Sequence, residues 1–207
     1  MKFSVIIPTH NNSDDLYQIL QSIRAQSFTD YEIILIADKC DKQNLEAAKK
    51  SANYCGARFK AVDYGNAGLA RNAGLEMAKG EYILFADDDD YFLHNYVFDM
   101  IDNLTQKNDV DVLYFGFIFG KFGYKGPFDN GGHAFGNVWS KAWKRSAIGD
   151  TRFPNVYPDD DLQFCLLMEQ KPIKITAIES PIYYYNYMRP GSISANENLQ
   201  YNFSKGE

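Results

Sequence analysis

The sequence predicts an α/β fold in which helices flank a mostly parallel central sheet, within a single domain. Two observations predict this fold. Short apolar runs that suit buried strands alternate with helical patterns from residue 3 to residue 86, an alternation typical of parallel sheets covered by helices. The 207 residues are 45% hydrophobic and 15% aromatic, which is enough for a packed core. No linker separates a second independent domain.

The first half supplies most of the predicted sheet. A buried strand at Phe3–Ile7 is expected to stop at Pro8, and a helix is expected to begin near Ser13. The apolar stripe of that helix is Leu16, Ile19, Leu20 and Ile23. Further predicted elements are strands at Glu32–Ala37, Arg58–Val62 and Tyr82–Ala86, a helix at Leu45–Ala52, and a helix that follows Gly65 and is closed by Gly80 as a left-handed cap.

In the second half of the sequence, the predicted strands and helices alternate less regularly. A helix is predicted at His94–Thr105, and its buried stripe is Tyr96, Val97, Met100, Ile101 and Leu104. The elements predicted after it are a strand at Val110–Phe119, a loop or hairpin over 120–136, a helical stretch at Val138–Ala147, a helix opened by Asp159–Asp161, and strands at Ile173–Ile178 and Ile182–Tyr187. The polar tail from Asn196 is expected to be disordered.

Composition and charge exclude several classes of protein. A net charge of −6 disfavours a nucleic-acid binder. The three cysteines are odd in number and form no C-x-x-C pair, which favours a reduced, cytoplasmic setting. The first apolar run ends at Pro8 and none reaches about 18 residues, so we expect neither a signal peptide nor a membrane span. The sequence is compatible with peripheral membrane contact, and it does not indicate the oligomeric state.

Four consecutive carboxylates, Asp87–Asp90, follow the predicted strand at Tyr82–Ala86. Ligand-binding residues gather at the carboxyl ends of parallel strands, and four adjacent like charges repel each other unless a cation lies among them. Asp oxygens are hard ligands suited to Mg²⁺ or Mn²⁺, which proteins commonly hold for a phosphate. A solvated acidic turn is the alternative interpretation.

Several blocks, in this order and spacing, resemble the family 2 glycosyltransferases of the GT-A fold. They are Val5–Asn11, Gln26–Phe28 before Tyr31–Ile34, Asn66–Gly74, and Gly80–Phe85 with Asp87–Asp90; later and less specific blocks are Trp139–Lys141, Arg152–Pro154, Asp160–Phe164, and Tyr183–Tyr185 with Arg189–Ile193. The resemblance covers about residues 3 to 194. It implies a nucleotide-sugar-binding half at 1–90, an acceptor-binding and catalytic half at 91–195, and a polar tail at 196–207.

The resemblance also implies a role for individual residues toward a nucleotide-sugar donor, with a UDP-sugar favoured. Pro8, Thr9 and Asn11 would line the base and ribose. Asp38 would accept the imide N–H of the base, or else serve as a turn residue. The other donor-side residues implied are Gly68 and Arg71 beside the diphosphate, Asp87 near the ribose and metal, Asp88 next to it in the nucleotide-sugar site, and Arg189 and Ser192 closing over the diphosphate. A surface arginine paired with a glutamate is the alternative for Arg71.

The chemistry implied is a metal-dependent, inverting transfer to a hydroxyl of a glycan, a lipid-linked sugar or another acceptor. Asp89 and Asp87 would hold Mn²⁺ or Mg²⁺, which stabilises charge on the departing diphosphate. Asp161 would be the general base, with Asp160 the second candidate; acids that favour a helix N-terminus are the alternative for both. A nucleotidyltransferase on a similar sheet and an inactive nucleotide- or sugar-binding module are the competing functions.

Overall fold

The molecule is built on one continuous sheet. The computed structural model describes residues 1–129 and 136–187. Within these ranges the strands are β1 (Phe3–Thr9), β2 (Tyr31–Asp38), β3 (Arg58–Val62), β4 (Tyr82–Phe85), β5 (Tyr91–Phe92), β6 (Val112–Phe119), β7 (Tyr124–Lys125), β8 (Lys141–Lys144) and β9 (Ile175–Tyr185). The helices are α1 (Ser13–Arg24), α2 (Lys42–Cys55), α3 (Ala67–Met77), α4 (Val97–Asn108), α5 (Arg145–Ile148) and α6 (Asp160–Glu169).

The strand order is β3-β2-β1-β4-β8-β6-β9-β5, with β7 added beside β6. β1 pairs in parallel with β2 and β4, β2 with β3, and β6 with β9. β8 is antiparallel to both of its neighbours, β4 and β6, so β6 runs in the same direction as β4. Among the strands in the described ranges, six therefore point the same way, which confirms the predicted mostly parallel α/β sheet.

Helices cover both faces of this sheet. Because side chains alternate along a strand, Ile33 and Leu35 of β2 join the core beneath α1 and α2, while Ile34 and Ile36 join the core beneath α3 and α6. The stripe predicted for α1 is confirmed, since its four members are at most 1% exposed. The apolar periodicity of the first half therefore predicted both the helix and the face that it buries.

The first strand runs two residues further than predicted, through Pro8 to Thr9. Alternate residues of a strand direct their backbone groups to the same side. The carbonyl of Ile6 accepts from the N–H of Ala86, just beyond β4, so Pro8 also faces the β4 side. β4 ends at Phe85, and the missing N–H of Pro8 therefore breaks no ladder bond.

Gly80 was predicted to close the helix before β4 in a left-handed conformation, and this prediction is wrong. α3 ends at Met77, and Ala78 follows in an extended conformation. A Cβ at Gly80 would lie 2.5 Å from the backbone nitrogen of Ser4. Glycine is required here because the chain entering β4 passes close to β1.

The helical stretch predicted at Val138–Ala147 is wrong over β8, and only its last three residues lie in a helix, the single turn α5. Ala142 pairs with both Leu84 of β4 and Leu113 of β6, so long-range pairing overrides the local helical pattern. The strands predicted at Ile173–Ile178 and Ile182–Tyr187 form one strand, β9, whose register against β6 shifts around Gly116.

Two further predictions need adjustment. The helix expected at His94–Thr105 begins only at Val97, so Tyr96 is 49% exposed and Phe98 is buried in its place. The expected hairpin is present in part, since β7 pairs with β6; residues 130–135 and the tail from Asn196 lie outside the described residues. Among the described helices, none is both long and apolar enough to cross a membrane.

Candidate active site

The run Asp87–Asp90 lies directly after β4, at the edge where β1 and β2 also end. Asp90 is fully buried and accepts a hydrogen bond from the backbone N–H of Asn186 at 2.8 Å, while Asp87, Asp88 and Asp89 are half-buried. Burial raises the pKa of Asp90 well above its usual range, and the charges of Asp87 and Asp89 raise it further. A fully solvated acidic turn therefore does not describe this run.

Arg71 joins this run to a second acidic segment, Asp159–Asp161, which lies about 70 residues further along the chain. Its guanidinium donates to Asp87 at 2.7 Å, to Asp160 at 3.0 Å and to Asp161 at 2.7 Å. The side chain of Arg71 is only 5% exposed, so these bonds form with little competition from water. The three carboxylates together raise the pKa of Arg71 further above its usual value. Arg71 is thus a buried cation at the centre of the site rather than a surface arginine paired with a glutamate.

The local structure of α3 and α6 brings these side chains together. Asn66 caps α3 by accepting from the N–H of Leu69 at 2.9 Å. One turn before Arg71, Gly68 lies so close to α6 that a Cβ would be 2.9 Å from the side chain of Asp160 and from Phe153. Gly68, predicted to lie beside the diphosphate, therefore packs against Asp160, one of the two candidate catalytic acids.

Asp160 and Asp161 occupy the first turn of α6, where acidic side chains are favoured by the helix dipole. Asp161 is 22% exposed and Asp160 is 9% exposed. Burial raises the pKa of Asp161 to about 7, while the charge of Arg71 opposes that rise. A general base operates best with a pKa near the working pH. The greater exposure of Asp161 favours it over Asp160 as the proton acceptor.

The end of β1 and the loop after it form the other wall of the site. Thr9 and Asn12 hydrogen-bond the carboxyl group of Asp88, with the Asn12 amide at 2.9 Å. Burial nevertheless raises the pKa of Asp88 to about 7. Pro8 precedes Thr9 in the strand, and Asn11 adopts a left-handed conformation with φ of 49°. The structure thus brings Thr9, one of the predicted donor-side residues, next to the acidic run, whereas the side chain of Asn11 accepts from the backbone N–H of Asp41 at 2.8 Å.

Asp38 ends β2 and is 5% exposed. Its carboxylate accepts hydrogen bonds from three successive backbone N–H groups, those of Tyr64 at 2.7 Å, Gly65 at 3.0 Å and Asn66 at 2.9 Å. Asp38 therefore fixes the loop that leads into α3, as the turn-residue interpretation expected. Its predicted contact with the base of a nucleotide stays a prediction.

Sequence reasoning missed several residues that shape the site. The hydroxyl of Tyr183 in β9 accepts from the N–H of Asp87 at 3.1 Å, and Asn72 holds both the N–H and the C=O of Phe153 at 2.9 Å. The available signal was the polar Asn72, which follows Arg71 in a helix rich in alanine, glycine and leucine, whereas Tyr183 resembled an ordinary core aromatic. Arg189 and Ser192, predicted to close over the diphosphate, lie outside the described residues.

The donor set of the site suits a hard cation that arrives together with a phosphate. The two acidic segments hold six carboxyl groups, those of Asp87–Asp90, Asp160 and Asp161, and the guanidinium of Arg71 contacts three of them. Carboxylate charge here would repel an anionic diphosphate unless further positive charge were present. Within the described ranges, no group of three or more His, Cys, Asp or Glu is arranged to hold a metal ion. Mg²⁺ is usually held by one or two carboxylates plus substrate phosphates, and the half-buried pair Asp87 and Asp89 fits that requirement.

Comparisons with known proteins identify the family and the fold. The sequence model of the family described as "Glycosyl transferase family 2" matches residues 4–162. Over 130 residues the chain is 38% identical to TarP of Staphylococcus aureus (strain N315), a poly(ribitol-phosphate) beta-N-acetylglucosaminyltransferase. That alignment covers 60% of this chain and 38% of TarP.

Solved structures show the same fold. TarS 1-349 of S. aureus, in complex with UDP-GlcNAc, matches with a TM-score of 0.82 and 22% identity over 95% of this chain and 61% of the TarS chain. The mannosyltransferase PcManGT from Pyrobaculum calidifontis, in complex with GDP-Man and Mn²⁺, matches with a TM-score of 0.72 and 14% identity over 92% of this chain and 58% of PcManGT. The chain therefore spans less than two thirds of each of these proteins.

Proposed function

Because the chain belongs to glycosyl transferase family 2, whose sequence model matches residues 4–162, we propose that it transfers a sugar from a nucleoside diphosphate sugar to a hydroxyl acceptor. The observation that carries this proposal is the arrangement around Arg71. One buried guanidinium joins Asp87, at the end of β4, to Asp160 and Asp161, in the first turn of α6. In this proposal the donor diphosphate binds beside Asp87, and the general base comes from the first turn of α6.

We propose a UDP-sugar as the donor, with UDP-GlcNAc the first to test. TarP is named an N-acetylglucosaminyltransferase, and TarS has been crystallised with UDP-GlcNAc. The name of TarP likewise makes poly(ribitol phosphate) the first acceptor to test. In this proposal the nucleoside lies across Pro8, Thr9, Asn11 and Asp38, and Asp88 faces the ribose.

We propose that Asp89 and Asp87 hold Mn²⁺ or Mg²⁺ when the donor binds. The carboxylate oxygens are hard ligands, and PcManGT was crystallised with Mn²⁺ beside its nucleotide sugar. When bound, the ion neutralises the negative charge that develops on the leaving diphosphate. Gly68 leaves room for Asp160 beside Arg71, while Arg189 and Ser192 remain proposed contacts of the diphosphate.

In the proposed reaction, Asp161 takes the proton of the acceptor hydroxyl as its oxygen attacks the anomeric carbon of the sugar. A new bond forms between that carbon and the acceptor oxygen, and the bond to the diphosphate oxygen breaks. Attack from the face opposite the diphosphate inverts the configuration of the anomeric carbon. The carboxylate of Asp161 is 22% exposed, and burial raises its pKa to about 7, which supports this role.

The test is a transfer assay with UDP-GlcNAc, Mn²⁺ and poly(ribitol phosphate), in which released UDP and labelled polymer are both measured. We expect the wild-type protein to release UDP, and Asp161→Asn to lose roughly 10²–10⁴-fold in rate, the usual contribution of a general base. Calorimetry should show that Asp161→Asn still binds UDP. Asp159→Asn, in the same acidic run, serves as the matched control and should change the rate only slightly.

The competing functions give different products. Pyrophosphate instead of UDP would indicate nucleotidyl transfer. Tight UDP binding without any release from a panel of UDP-sugars and acceptors would indicate a binding module. Equal rates for Asp161→Asn and the wild-type protein would rule out Asp161 as the base while leaving the transfer reaction itself intact.

A further inference from the structure

Lys141 is a lysine in the interior of the protein, only 1% exposed. It lies in β8 opposite Tyr114 of β6, and its ammonium nitrogen lies 5.1 Å from the centre of the Tyr114 ring and 5.9 Å from that of Trp143. Lysine is rarely buried completely because its charge loses hydration. A charge kept in this position therefore calls for an explanation, and nothing in the proposed reaction so far uses it.

The ammonium group of Lys141 donates to the carbonyl oxygen of Asn137. The next backbone N–H, that of Val138, donates to the Oδ2 atom of Asp161 at 3.2 Å. This carbonyl and this N–H belong to the same peptide group, which is trans, so they point in opposite directions. One peptide group therefore lies between the Lys141 ammonium and the Asp161 carboxylate, with a hydrogen bond on each side.

The orientation of this peptide group does not depend on Lys141 alone. The indole N–H of Trp143 donates to the carbonyl of Val138 at 3.1 Å, and the hydroxyl of Ser140 bonds the side chain of Asn137. Loss of the Lys141 charge should therefore leave the peptide in place. What should change is its polarisation, since hydrogen bonds in a chain strengthen one another.

We propose that Lys141 is a positioning residue for the general base: its ammonium polarises the Asn137–Val138 peptide group, which holds Asp161 in place and favours its carboxylate form. The inference rests on the proposed function in assigning Asp161 as the base. The contact between Lys141 and Asp161 through the peptide, however, is a property of the folded chain and can be measured without substrate.

The charges facing Asp161 determine the sign of the effect. Burial and the carboxylates of Asp160 and Asp87 favour its protonated form, whereas Arg71 and the N–H of Val138 favour the carboxylate. The Lys141 ammonium acts in the same direction as Arg71. Burial lowers the pKa of Lys141 itself, and the charges of Cys165, Asp161 and Glu169 oppose that fall. Removing the ammonium should raise the pKa of Asp161 above about 7, so that the proton-accepting form appears only at higher pH.

The first test follows the Asp161 carboxyl carbon by ¹³C NMR during a pH titration of the nucleotide-free protein. Lys141→Met keeps the length of the side chain and removes the ammonium, and we expect the midpoint to rise by about one unit. The matched control is Lys144→Met, in the same strand, because Lys144 pairs with Asp109 at 2.6 Å and has no such path to Asp161. A folded Lys141→Met protein with an unchanged midpoint would overturn the inference.

The second test is kinetic. A rise of about one unit from a pKa near 7 lowers the ionised fraction at pH 7 about fivefold, so kcat of Lys141→Met should fall about fivefold at pH 7 and recover near pH 9. The donor KM should not change, since Lys141 lies away from the proposed donor contacts. A loss of kcat that is equal at pH 7 and pH 9 would indicate a merely structural role and contradict the proposal.

A reciprocal measurement covers the case in which Lys141→Met does not fold. Coupling between two groups acts equally in both directions, so Asp161→Asn should lower the midpoint of the Lys141 ammonium, followed by ¹⁵N NMR, by a similar amount. An unmoved Lys141 midpoint overturns the inference. If the wild-type protein transfers no sugar to any acceptor, the proposed function fails, while these two titrations still decide whether Lys141 and Asp161 are coupled.

Discussion

Arg71 illustrates how one buried residue determines the chemistry of several others. Its guanidinium contacts Asp87, Asp160 and Asp161, and its charge lowers the pKa of both Asp160 and Asp161, which burial raises. Without this cation, three carboxylates would face each other with little access to water. Arg71 therefore serves both the stability of the fold and the readiness of the proposed base.

Replacement of Arg71 by Met should destabilise the protein by about 3–5 kcal/mol at pH 8, because it leaves buried carboxylates without their partner. Those carboxylates can take up protons in the folded state as the pH falls, so the loss of stability should be smaller at pH 5. Urea denaturation at both pH values measures this. Arg24→Met, which removes an arginine stacked on exposed Tyr54, should cost less than about 1 kcal/mol. Equal losses for the two variants would contradict the proposed importance of the Arg71 cluster.

At the scale of elements, the site depends on how closely α3 packs against its neighbours. Two glycines of α3 permit this packing on different sides. A Cβ at Gly68 would lie 2.9 Å from Asp160 in α6, whereas a Cβ at Gly74 would lie 2.4 Å from Ile6 in β1. Gly68 thus allows α3 to approach Asp160 in α6, and Gly74 allows it to approach the sheet.

Gly68→Ala and Gly74→Ala should therefore both lower stability, by about 1–3 kcal/mol as for other overpacked sites, but only Gly68→Ala should displace Asp160 from Arg71. We expect kcat of Gly68→Ala to fall at least tenfold at a temperature where the protein is fully folded, since small displacements of catalytic groups are costly. Gly74→Ala at the same temperature should keep most of its activity. Comparable rates for the two variants would show that Gly68 has a packing role only.

At the scale of the whole molecule, β8 determines that the two halves of the chain form one site. It inserts between β4 and β6 and is antiparallel to both, so β6 and β9 continue the sheet in the direction of the first four strands. The turn before β8 then reaches Asp161, and Tyr183 of β9 reaches Asp87. The molecule carries a net charge of −6, which makes a cation important for binding an anionic donor.

UDP together with Mn²⁺ should consequently raise the melting temperature more than UDP alone. A ligand at 100 times its Kd stabilises by about 2.7 kcal/mol, which corresponds to roughly 5–10 °C for a chain of this size. Thermal unfolding with UDP, with and without Mn²⁺, measures the difference, and Asp89→Asn should abolish it. An equal shift from UDP alone, or an unaltered Mn²⁺ effect in Asp89→Asn, would argue against the proposed metal ligands.

The sequence by itself determined the features that depend on neighbouring residues. The periodicity of Leu16, Ile19, Leu20 and Ile23 predicted α1 and its buried face, and the position of the Asp87 run directly after an apolar strand predicted a polar site at the sheet edge. The order of the family blocks predicted the α/β fold and brought Asp87, Arg71 and Asp161 into one hypothesis.

The tertiary structure decided everything that depends on contacts between distant segments. β8 was predicted as a helix because its local pattern is ambiguous, and only pairing with β4 and β6 makes it a strand. Likewise, no local signal shows that Arg71 bridges two acidic segments, or that the Asn137–Val138 peptide links Lys141 to Asp161. The physical reason is that burial and hydrogen bonding, which set the charge state of each carboxyl group, are determined by how the sheet and helices pack together.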